Sequence, residues 1–75
     1  MDATVSEGQH QVAYGDQQII FTLRRQPARV VQRIAIHVEP DGRVEVDAPP
    51  LTPLAEVLAA VRKRARWISK HVSAA

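Results

Sequence analysis

The sequence predicts an α+β domain: a four-stranded antiparallel β-meander with one long C-terminal helix packed on one face. Two observations carry this expectation. Apolar residues alternate with a period of two between Val12 and Ala48, interrupted by clusters of turn-forming residues. From Leu54 onward the apolar period becomes helical, and Pro49-Pro50 stands at the change. The 75 residues suffice for one small domain. With 45% hydrophobic and 24% charged residues, a disordered charged tail is excluded as the character of the whole chain.

Residues 1–11 are polar and without period, so they read as a disordered tail preceding a single ββββα domain over 12–72. Val12 and Tyr14 alternate up to Gly15-Asp16-Gln17-Gln18, and Ile19, Phe21 and Leu23 alternate beyond it. A four-residue loop would pair Tyr14 with Ile19 and Val12 with Phe21, burying all five on one face. Ile20 then points outward. Pro27 lacks an N–H and belongs in a turn, and Val30-Val31 can open the next strand.

The clearest hairpin spans 33–48. Ile34, Ile36 and Val38 precede Pro40-Asp41-Gly42, and Val44, Val46 and Ala48 follow it. A two-residue loop would mix the two faces. A three-residue loop pairs Val38 with Val44 and Ile36 with Val46, with Gly42 in the left-handed bulge position. His37 then lies opposite Glu45, and Glu39 opposite Arg43. The outer face carries Thr22, Arg24, Ala35, His37, Glu45 and Asp47.

After Pro49-Pro50, Thr52 suits an N-cap and Pro53 the first helical position. The helix is expected to run to about Val72. Leu54, Val57, Leu58, Val61, Ala65, Ile68 and Val72 fall within ~40° of one line on a helical wheel. Arg62, Lys63, Arg64, Arg66 and Lys70 crowd its C-terminal half, where cations suit the helix dipole.

The run from Arg33 to Pro49, RIAIHVEPDGRVEVDAP, followed by a helix ending Arg66-Trp67-Ile68-Ser69-Lys70, resembles the N-terminal part of the YgjP-like metal-dependent hydrolases. These form a zinc-metallopeptidase-like family, and the resemblance extends over roughly Ile19 to Lys70. It implies a catalytic half with a His-Glu-x-x-His helix, whose two His bind zinc while Glu serves as general base. In this sequence no His is followed by Glu, so no catalytic or zinc-binding residue carries over. The resemblance therefore implies either an isolated N-terminal domain or a short, truncated chain that lost the catalytic half, in both cases not itself an enzyme, with zinc expected only in the absent half.

The residues agree with that division. With no Cys, the chain has no disulfide framework, thiolate metal site or Cys nucleophile, which is compatible with a cytoplasmic protein. No apolar run approaches a membrane span, so no membrane partner is expected. A metal site at His37 would need three or four ligands, and only Glu45 accompanies it. His37 accordingly reads as an exposed strand residue. A Gly-rich phosphate loop is excluded, since the only glycines are Gly8, Gly15 and Gly42.

Trp67 is the residue that the apolar pattern leaves over. It falls ~140° from the centre of the helix stripe, on a face with Ala60, Lys63, His71 and Ala74. Two readings stand side by side. Either this face docks the catalytic metallopeptidase-like half or another protein, or the indole folds over the sheet edge into the core. The expected role is a non-catalytic module that packs on or positions that half. The alternatives are a small basic nucleic-acid-binding module and a free-standing protein-interaction domain. Opposite charges are expected to meet at both ends of the meander and break up any single basic face, which weighs against nucleic acid.

Overall fold

A computed structural model describes residues 8–74. It contains strands β1 (Gly8–Tyr14), β2 (Gln17–Arg25), β3 (Ala35–Val38) and β4 (Val44–Ala48), then helices α1 (Leu54–Lys63) and α2 (Ala65–Ala74). The fold is α+β, as the alternation and the helical period require. Of the expected tail, residues 1–7 lie outside the described residues, while Gly8 to Gln11 belong to β1.

The sheet is mixed, which corrects the expected antiparallel meander. Its order is β1-β2-β4-β3, with β2 and β4 parallel. Thr22 pairs with Glu45 and Arg24 with Asp47. The physical reason lies in residues 26–34. Pro27 opens a turn, its carbonyl accepting from Val30 N–H at 2.8 Å and Val31 N–H at 3.0 Å. Hairpin loops commonly run 2–5 residues, and this longer connection lets the chain skip a sheet position. Strand β4 buries Val44, Val46 and Ala48 and takes the inner place, leaving the four-residue β3 at the edge.

The β3–β4 hairpin has the expected register, with Val38 opposite Val44, Ile36 opposite Val46 and His37 opposite Glu45. Gly42 sits at φ 90°, and its N–H donates to the Glu39 carbonyl at 2.8 Å. The β1–β2 hairpin is shifted by two residues from expectation. Val12 faces Ile19, His10 faces Phe21, and Tyr14 pairs with Gln17 around a two-residue Gly15-Asp16 turn. Gly15 has φ 61° and Asp16 does not have positive φ, the pattern of a type II′ turn. Tyr14 is therefore exposed instead of core, whereas Val12, Ile19, Phe21 and Leu23 are buried and Ile20 points outward.

The single long helix is also corrected. It bends at Arg64, whose φ of −102° and ψ of 11° leave the helical region. Arg64 N–H reaches both the Ala60 and Val61 carbonyls, at 3.2 and 3.1 Å. Ile68 N–H still donates to the Arg64 carbonyl at 2.9 Å, so the helix turns without being severed. Helix α1 lies against β1, and α2 against β2 and β3. A straight rod would leave the twisted sheet, and the bend keeps Val57, Val61, Ala65 and Ile68 all buried. Pro53, not Thr52, occupies the N-cap position, without a side-chain cap bond. Instead, Arg25 Nη1 donates to the Pro49 and Thr52 carbonyls, at 3.0 and 2.6 Å, holding the turn that leads into α1. Val72, counted in the apolar stripe, is exposed.

Candidate functional site

The order of the sheet decides what lies beside Trp67. Because β3 is an edge, the helix bend faces the sheet margin across an open groove of about 480 Å³. Ile34, Ala35 and Ile36 form one wall, and Ala60, Lys63, Arg64 and Trp67 the other. Ile34 and Ile36 are half-buried and pack against the margin of the core. The Trp67 side chain is 39% exposed, so it is neither swallowed by the core nor fully in solvent.

Its position is held locally. The His71 ring lies one helical turn further on, with ring centroids 4.1 Å apart and planes tilted by 34°. His71 Nδ1 donates to the Trp67 carbonyl at 2.9 Å, which ties the imidazole to the turn that carries the indole. The structure thus brings Ala60, Lys63, Trp67 and His71 together, the first three in the groove and the fourth stacked behind the indole. It adds Arg64 and the β3 wall, which the meander expectation concealed by placing β3 between two strands. The length of the 26–34 connection was the available signal.

Lys63 and Arg64 are exposed, and neither forms an ion pair among the described residues. Among the described residues no acidic side chain lines the groove. The wall is apolar with a cationic rim. Arg62, Arg66 and Lys70 are likewise exposed on the helices.

The open face of the sheet carries a second cluster. Arg24 Nε donates to Asp47 Oδ1 at 3.0 Å, and its Nη2 lies 3.3 Å from Glu45 Oε1. The hydrogen bond and charge of Asp47, helped by Glu45, raise the Arg24 pKa above the usual arginine value. His37 Nε2 lies 3.5 Å from Asp47 Oδ2, so its ring approaches the diagonal neighbour and not the directly opposed Glu45. With its acids engaged by Arg24, this exposed cluster reads as cross-strand pairing on a solvated sheet face.

The residues do not fit a zinc centre. His10 lies on β1, 5.9 Å from the Phe21 ring, while His37 is on β3 and His71 on α2. Among the described residues no group of three or more His, Asp or Glu side chains could hold a metal ion. Among the described residues no helix is long and apolar enough to cross a membrane.

A mixed sheet, a bent helical pair and a half-covered Trp beside an open groove at the sheet margin define a small α+β module. The family model described as YgjP-like, metallopeptidase domain, matches residues 32–75, more than half of the chain. The chain belongs to that family. The match contains β3, β4 and both helices, hence every residue of the groove, and begins beyond the β1–β2 hairpin. No curated protein and no solved structure matches the chain.

Proposed function

We propose that this chain acts as a non-catalytic module that packs on and positions a zinc-metallopeptidase half, through the face formed by Trp67, Ala60, Lys63 and His71. The observation that carries the reading is the half-exposed Trp67, stacked on His71 and lining a groove at an open sheet edge. A large aromatic left partly uncovered beside apolar walls is the kind of side chain that dominates docking energetics. Family membership supports a metallopeptidase half as the partner, and the dispersed histidines, which form no metal-binding group among the described residues, are in keeping with that division.

The test is association with a separately produced metallopeptidase half that bears the His-Glu-x-x-His helix. Calorimetry should show binding by the intact chain and loss of at least tenfold in affinity on Trp67→Ala. The same substitution should destabilise the isolated chain by less than the ~3–5 kcal/mol of a buried aromatic truncation. Undiminished binding by Trp67→Ala would sink the docking role.

A second reading, nucleic-acid binding, is favoured by the exposure of Arg62, Lys63, Arg64, Arg66 and Lys70 around Trp67. Salt separates the two. Phosphate contacts weaken steeply between about 50 and 200 mM salt, whereas a Trp-centred apolar dock does not.

A further inference from the structure

The free edge of β3 has a definite hydrogen-bonding phase. Glu39 N–H donates to the Arg43 carbonyl at 2.8 Å, marking 39/43 as a hydrogen-bonded pair. Antiparallel ladders alternate, so His37/Glu45 and Ala35/Asp47 are also bonded pairs, while Ile36/Val46 and Val38/Val44 are not. The N–H and C=O groups of Ile36 and Val38 therefore turn away from β4 toward the open edge. The far side of β4 agrees with this phase, since the Ala48 carbonyl accepts from Gln26 N–H at 3.0 Å, on the β2 side.

Edge strands are commonly blunted by Lys, Pro or a bulge. The segment Ala35-Ile36-His37-Val38 contains none of these within the strand. Its helix-side flank is the groove, with apolar walls and, at the rim, the cations Lys63 and Arg64, which form no ion pair among the described residues. Backbone donors and acceptors in register, an apolar slot and a positively charged rim together specify an occupant.

We infer that β3 is an acceptor edge, and that an extended acidic segment of the metallopeptidase half joins it as a fifth strand. The inference rests on the docking reading above and specifies its chemistry. The backbone of the segment pairs with Ile36 and Val38. One of its apolar side chains enters the groove beside Trp67, and a carboxylate meets Lys63 and Arg64. Strand addition draws affinity from main-chain bonds and specificity from the alternate side chains, which is why the groove and the cations flank the edge as they do.

Two measurements test it. With the metallopeptidase half bound, amide exchange at Ile36 and Val38 should slow at least tenfold. If the half binds and Trp67→Ala releases it, yet these amides exchange as in the free chain, docking stands and strand addition fails. The second uses a synthetic peptide, acetyl-Glu-Val-Glu-Val-Glu-Val-amide, titrated into the full chain. It should protect the same two amides, and Lys in place of every Glu should weaken it at least tenfold. Methylation of alternate backbone amides, in two versions, should weaken one version at least tenfold and spare the other. Equal binding by the lysine peptide, by both methylated versions, or protection of β1 in place of β3 would overturn the acceptor edge. If the peptide behaves as expected but the metallopeptidase half does not bind, the named source of the strand is wrong.

Discussion

The two hairpins of this sheet are built from the same alternation but closed in different ways. The β1–β2 hairpin pairs seven residues around a two-residue turn, and within that turn only Gly15 has positive φ. The β3–β4 hairpin pairs four residues around Pro40-Asp41-Gly42, with Gly42 at φ 90°. In the second, each loop residue has a separate duty. Pro40 presets its own φ, and Asp41 Oδ1 accepts from Arg43 N–H at 3.0 Å. Gly42 takes the left-handed bulge. In the first, a slip of two residues would keep the same side chains facing inward, so alternation does not oppose it. A turn rich in specific contacts fixes a register, while a turn with a single glycine leaves the choice to packing.

Phe21 and Tyr14 give the largest contrast. Phe21 is 1% exposed and central to the core, so Phe21→Ala should cost ~3–5 kcal/mol by chemical denaturation. Tyr14→Ala, at the exposed end of the same hairpin, should stay near the ±0.5 kcal/mol of ordinary surface changes. A comparable loss at both sites would mean that Tyr14 lies over the core and that the alternative register is populated.

The turns come next. Gly42→Val should cost about 1–3 kcal/mol, because a β-branched residue is strained at positive φ and the loop has no second closure. Gly15→Ala should cost less, about 1 kcal/mol. A built Cβ at Gly15 meets nothing within 4 Å, and a slip to the four-residue loop relieves the backbone. Nuclear Overhauser contacts between Tyr14 and Ile19 in Gly15→Ala would show that slip directly. Equal losses at the two glycines, without such contacts, would remove the distinction between the turns.

The smallest effect concerns acid. The Arg43 backbone N–H, and after it the Arg43 charge, hold the Asp41 carboxyl below its ordinary value of 3.8. A lowered folded pKa stabilises above the unfolded pKa, and that contribution is lost as pH falls through the folded value. Asp41→Asn should therefore flatten a small part of the stability decline below about pH 4, seen by denaturation at pH 3 and pH 7. An unchanged slope would show that the carboxylate charge is not coupled to the turn.

What was legible in the sequence follows from these same residues. The inward set of Val12, Ile19, Phe21, Leu23, Val44, Val46 and Ala48 is dictated by a period of two, and all of them are buried. The β3–β4 register is dictated by three loop residues, each with a local reason. The grouping of Ala60, Lys63, Trp67 and His71 follows from helical spacing, which survives the bend because the break is confined to Arg64.

Only the tertiary structure decided the order of the strands, the bend at Arg64 and the shift of the first hairpin. Period-two patterning says which way a side chain points but not which strand lies alongside, because any strand with one apolar face can pair with any other. Pairing β4 with β2 buries the strand with three fully inward residues and exposes the shortest one. That choice is made by total burial, not by neighbours along the chain. It is also what turns Ile34, Ala35 and Ile36 from an expected interior strand into the wall of an open groove beside Trp67.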